Sequence, residues 1–70
     1  MDIEEIGRQI NRRRVVLGLS IRDLADLTGK SKTTILNIER GAGNPTFQVL
    51  QDIFEYLNLE ISLEVKAHNQ

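Results

Sequence analysis

Ser20-Ile21-Arg22-Asp23-Leu24-Ala25-Asp26-Leu27-Thr28-Gly29-Lys30-Ser31-Lys32-Thr33-Thr34-Ile35-Leu36-Asn37-Ile38-Glu39-Arg40-Gly41 reads as two short helices joined by a tight turn. Ser20 is placed to cap the first helix, because its hydroxyl accepts an orphan first-turn N–H. Asp23, three residues on, is shorter than the usual Glu of a capping box, so the box is expected to be imperfect. Leu24, Ala25 and Leu27 give this helix one apolar side. Gly29 stops it, since glycine takes the left-handed conformation at little cost. Ser31 caps a second helix over residues 31–40, with Ile35 and Ile38 turned inward, and Gly41 ends it. This is helix-turn-helix spacing, in which the second helix is the one that enters a DNA major groove.

Upstream, residues 2–17 read as a helix, with Ile3, Ile6, Ile10 and Leu17 at three- and four-residue steps and Val15 and Val16 near its end. Asp2, Glu4 and Glu5 suit its positive end. Gly18 stops it, and Leu19 packs under the next helix. Arg8, Arg12, Arg13 and Arg14 lie in its middle; a solvated face explains Arg8 and Arg12 as well as phosphate contact does. Downstream, Gly-Ala-Gly-Asn-Pro-Thr (41–46) is a loop in which Pro45 keeps Asn44 extended. Thr46 caps a helix over 47–57, whose apolar stripe is Phe47, Leu50, Ile53, Phe54 and Leu57.

The tail reads differently. Leu59-Glu60-Ile61-Ser62-Leu63-Glu64-Val65-Lys66 alternates apolar and polar without a break, the pattern of a strand with one buried face. A lone strand leaves its backbone groups unpaired. The simplest remedy is the same strand of a second chain, giving a two-stranded sheet across a two-fold axis, with Leu59, Ile61, Leu63 and Val65 facing the helices. The fold expected is therefore mainly α: four helices plus a C-terminal strand pairing across a homodimer. Residues 1–66 form a single domain, 59–66 its dimerisation strand and 67–70 a flexible tail.

Seventy residues bury only a modest core, which favours a dimer or a very regular bundle. The chain has no cysteine, so disulfides and Cys-based zinc sites are excluded and a reducing cytoplasm suits it. No run approaches the ~18 apolar residues of a membrane span, and the acidic start does not read as a signal peptide. The net charge of −1 conceals a pattern: residues 1–7 carry −3, residues 8–40 carry +5 and residues 41–70 carry −3. A basic middle with acidic ends supplies an electrostatic footprint for nucleic acid without a basic pI.

Within the second motif helix, lysine donates to guanine O6 and N7. Threonine offers a hydroxyl and a methyl, and asparagine pairs bidentately with adenine. Lys30 and Arg40, at its two ends, are expected on the DNA backbone. Arg22 serves equally as a phosphate contact or a surface residue. Leu36 lies on the outer side, for a thymine methyl or a partner protein.

Leu19-Ser20, Leu24-Ala25, Gly29, Ser31, Ile35 and Ile38-Glu39-Arg40-Gly41 resemble the phage-repressor (Cro/cI, XRE) helix-turn-helix family. The likeness extends to Ile10 and Arg14 upstream and to Asn44-Pro45-Thr46 and Leu50 downstream, roughly residues 3–58. It implies a groove-facing set of Ser31, Lys32, Thr33 and Asn37, with Thr34 partly inward. It also implies a partly buried Arg14–Glu39 ion pair, a backbone contact at Arg13, and backbone N–H groups for a phosphate around Asn44, Thr46 and Phe47. Ile21 departs from the family's usual glutamine and is expected to pack on the protein. Four such helices followed by the alternating tail are most similar to HipB-like antitoxins, whose dimers share a sheet, repress their own operon and bind the kinase-like toxin HipA.

Other chemistry finds no support. Gly29-Lys30-Ser31 echoes the end of a P-loop, but Leu24 stands where its first glycine belongs. Asn44-Pro45-Thr46 is a blocked sequon. His68 has no partners for metal or nucleophile activation, and the carboxylates are scattered. No catalytic residue, cofactor or metal is expected. The sequence thus points to a non-enzymatic, cytoplasmic, sequence-specific repressor that binds double-stranded DNA as a homodimer on a palindromic operator, with a HipA-like toxin as further partner. The alternatives are a stand-alone phage-type repressor and a protein-interaction scaffold that has lost DNA binding.

Overall fold

Each helix begins one residue after a polar side chain that takes up a first-turn N–H. In a computed structural model, which describes residues 1–67, these are α1 (Ile3–Val16), α2 (Ile21–Thr28), α3 (Lys32–Glu39) and α4 (Phe47–Leu57), capped by Asp2, Ser20, Ser31 and Thr46. The box at α2 is complete despite the short acid: Asp23 N–H donates to Ser20 Oγ at 2.9 Å, and Ser20 N–H donates to Asp23 Oδ2 at 2.9 Å. Gly29 ends α2 at φ 71°. Asn58 ends α4 at φ 57°, a conformation asparagine tolerates better than most residues.

Ile10 from α1, Leu24 and Ala25 from α2, Ile35 and Ile38 from α3, and Leu50, Ile53, Phe54 and Leu57 from α4 form one core. Ile3, Ile6, Leu19 and Ile21 pack against its margin. Ile21 thus faces the protein, as its side chain requires. α1 and α3 approach each other closely at Gly7. A Cβ there would collide with the carbonyl oxygen of Ile38 and sit 2.8 Å from that of Glu39. The helices therefore cross backbone to backbone, and only glycine fits.

Leu17, Leu27 and Phe47 lie outside the core that the sequence predicts for them, and Val15 and Val16 at the end of α1 are exposed as well. Leu27 is exposed, because it sits about 110° around α2 from the centre of the face carrying Leu24, Ala25 and Thr28. Phe47 has the right angular position on α4 but, as its first residue, is 63 % exposed and borders a recess with Met1, Ile61 and Leu63. Leu17 is the C-cap of α1 and half emerges from the core.

The strand expected over 59–66 is not formed; among the described residues there is no strand. A single extended segment has no ladder to join within one chain. Nor do the four apolar residues behave alike. Leu59 and Ile61 pack on the core margin, whereas Leu63 and Val65 are 89 % and 97 % exposed. The molecule measures 49 × 23 × 18 Å, while its longest helix, 14 residues, spans only ~21 Å. The tail runs off the helical body. His68 and the other residues of 68–70 lie outside the described residues.

Candidate nucleic-acid interface

Successive α-helical residues are turned by ~100°, and this divides α3 into two arcs. Ile35 and Ile38 are buried, with Thr34 and Glu39 half-buried beside them. Lys32, Thr33, Leu36, Asn37 and Arg40 occupy the opposite arc and are exposed. The groove-facing set expected from the sequence is thus brought onto one outer surface. Leu36, 37 % exposed, lies in the middle of it, where its isobutyl group suits a thymine methyl and nothing polar. Ser31 stands at the head of the same helix, but its oxygen is engaged: it accepts from Thr34 N–H at 3.1 Å and donates to Thr34 Oγ1 at 2.9 Å. Its first task is the cap.

The loop after α3 brings Asn44 and Thr46 to the surface beside Thr34 and Asn37, around a shared shallow recess. Thr46 Oγ1 accepts from Val49 N–H at 3.2 Å. The N–H groups of Phe47 and Gln48 precede the first helical acceptor and combine with the positive end of α4, an arrangement suited to phosphate.

Behind the surface an ion-pair network fixes α3. Arg14 Nε donates to Glu39 Oε2 at 2.6 Å and its Nη2 donates to Oε1 at 3.1 Å. The third limb, Nη1, reaches Leu19 O at 2.7 Å. The side chains are 13 % and 5 % exposed. Hydrogen bonding to Glu39 outweighs desolvation and raises the pKa of Arg14 above its ordinary value. Asn11 completes the site by donating Nδ2 to Glu39 Oε1 at 2.7 Å. One guanidinium therefore ties the end of α1, the α1–α2 turn and the end of α3 together, a geometry lysine does not reproduce.

Two cations expected on DNA phosphates have intramolecular partners on α4. Arg13 turns toward α4, where its Nε donates to Leu57 O at 2.8 Å and satisfies one of the helix's terminal carbonyls. Lys30 lies against α4 as well, its ammonium 3.1 Å from Asp52 Oδ2. Gln48 and Lys30, in that order, hold the Asp52 carboxyl below its ordinary pKa. Arg8 pairs with Glu5 on the open face of α1. Arg12, Arg22 and Arg40 are exposed.

Sequence reasoning passed over Asn11, Asp52 and Gly7. Asn11 and Asp52 are polar residues whose partners lie 28 and 22 positions away, so no local pattern marks them. Gly7 carried a signal, a glycine inside an otherwise regular helix, which implies close backbone approach. Among the described residues no group of acidic, histidine or cysteine side chains is placed to hold a metal ion. No helix among them is long and apolar enough to cross a membrane.

The helix-turn-helix family model matches residues 10–63, from the middle of α1 to the exposed part of the tail. No curated protein matches the chain. The match covers most of the sequence and includes both motif helices, the Arg14–Glu39 pair and α4. The chain belongs to the XRE-type helix-turn-helix family of DNA-binding domains.

Proposed function

We propose that this chain is a homodimeric transcriptional repressor that reads a palindromic operator and acts as the autoregulating antitoxin of a HipBA-like pair. The observation that carries the DNA reading is the outer arc of α3. The side chains of Lys32, Thr33 and Asn37 share it and make no hydrogen bond within the described residues, and Arg40 flanks them. Two such helices related by a two-fold axis would enter successive major grooves, about 34–36 Å apart. Phosphate contacts come from Arg22, Arg40 and the N–H groups of Phe47 and Gln48. The dimer reading rests on the alternating tail and on Leu63 and Val65, which find no cover in the single chain. The protein has no catalytic role in this reading and works in the cytoplasm.

The test is selection of an operator from random duplex DNA, followed by titration of single-base variants against wild type and Lys32→Ala. Lys32→Ala is expected to cost about 1–3 kcal/mol on the selected operator and to relax discrimination at one base position. Equal weakening on every sequence would refute base reading by Lys32. A scaffold that has lost DNA binding is favoured by Ile21 standing where relatives carry glutamine; it would show no steep fall of affinity with salt, the mark of phosphate contact. The toxin partner is tested by co-expression: a HipA-like kinase encoded alongside should be neutralised by this chain, and failure to neutralise it leaves a stand-alone repressor.

A further inference from the structure

The tail's polar face carries Glu60, Ser62, Glu64 and Lys66, and its apolar face carries Leu59, Ile61, Leu63 and Val65. In an antiparallel pair across a two-fold axis, directly opposed residues have numbers with a constant sum, and both lie on the same face of the sheet. Same-face opposition requires that sum to be even, so the axis passes through a residue. Four positions place the axis within the tail's centre, and their charges differ. An axis at Ser62 sets Glu60 opposite Glu64 of the partner subunit, twice. An axis at Glu64 sets that carboxylate against its own copy. Like charges directly opposed are destabilising. An axis at Ile61 opposes Glu60 with Ser62 and leaves Lys66 beyond the paired stretch. An axis at Leu63 opposes Glu60 with Lys66 in both halves, Ser62 with Glu64, and Ile61 with Val65.

We infer that the tails of two copies pair antiparallel with Leu63 on the two-fold axis, locked in register by two symmetric Glu60–Lys66 pairs; this rests on the homodimer reading above. The same register meets the apolar demand. Ile61 borders a groove of about 330 Å³ that Met1, Ile6, Phe54 and Leu59 line together with Glu5, Gln9 and Glu60. With the axis at Leu63, the partner's Val65 stands about 4.5–5.5 Å from Ile61 on the same face. The two residues that lie bare in one chain, Leu63 and Val65, are then covered by the axis contact and by the margin of the other chain's core. Glu60 and Lys66 are exposed in the single chain and free to meet.

The chain has no cysteine, so single cysteines report the register. Full-length Ile61→Cys, Ser62→Cys, Leu63→Cys and Glu64→Cys are oxidised, and their masses compared with those of the unmodified chain in solution. Opposed residues on the axis lie within disulfide reach, a Cα separation of about 4.4–6.8 Å. Leu63→Cys alone is expected to give a covalent dimer. Cross-linking at another single position, or equally at all four, would overturn this register while leaving the dimer standing. A monomeric unmodified chain would overturn both. A charge exchange reads the same point without cysteines. Glu60→Lys and Lys66→Glu each weaken dimerisation by roughly tenfold, and the double exchange restores it to within about threefold. A double variant as weak as either single one would remove the Glu60–Lys66 pairing.

Discussion

Arg14 spends all three limbs of its guanidinium on α3 and the α1–α2 turn, and this fixes what its replacement does. Arg14→Ala leaves the carboxylate of Glu39, 5 % exposed, without its charge partner, and is expected to cost about 3 kcal/mol in urea unfolding. Arg14→Lys should recover less than half of that, because an ammonium cannot span two carboxylate oxygens and a carbonyl at once. Glu39→Gln leaves Arg14, 13 % exposed, without its counter-ion, but is the milder change because the amide oxygen still accepts a hydrogen bond there. DNA affinity should track these stability losses only weakly at low temperature, where the fold persists. An operator affinity lost in full while the thermal transition is unchanged would instead make Arg14 a DNA contact.

At the level of elements, the caps are where local chemistry is most easily measured. Ser20 N–H and then the Ser20 hydroxyl hold the Asp23 carboxyl below its ordinary pKa. The folded chain therefore binds that proton less readily than the unfolded chain. The stabilisation is present at neutral pH and is lost as pH falls through the folded pKa. The urea midpoint of Asp23→Ala should lie below that of wild type at neutral pH, and the gap should close below about pH 4. A gap that is constant with pH would assign the effect to helix propensity. The caps were legible in the sequence because Ser20, Ser31 and Thr46 each act on a neighbour three residues away. The four helices followed from them and from the spacing of Ile10, Leu24, Ile35 and Leu50. The intramolecular acceptors of Arg13 and Lys30, Leu57 O and Asp52, were not legible because they are set by how α4 docks, which no window of neighbours encodes. Phe47 was misplaced because periodicity gives the angle around a helix and not what packs against each turn of it. The tail shows the same limit: alternation describes the segment's faces but not whether an edge exists for it to join.

On the scale of the whole molecule, a small helical body carries the exposed outer arc of α3 and a tail whose Leu63 and Val65 lie bare. A chain ending at Asn58 loses Leu59 and Ile61 from the core margin as well as the projecting residues. Under the dimer reading it should be monomeric by solution mass and should bind operator far more weakly than the full chain, since one half-site must then be held alone. A truncated chain that remains dimeric would move the interface onto the helices. At Gly7 the wall that a side chain would strike is formed by the carbonyl oxygens of residues 38 and 39, which are common to every amino acid. Gly7→Ala is expected to cost at least ~2 kcal/mol of stability, and no exchange at position 38 or 39 enlarges the gap. A selection for regained function in that variant should return glycine at codon 7, or strengthening changes scattered over the fold, but not a compensating neighbour. The position is closed to pairwise covariation, so a contact vital to how the recognition helix sits leaves no trace in correlated substitutions.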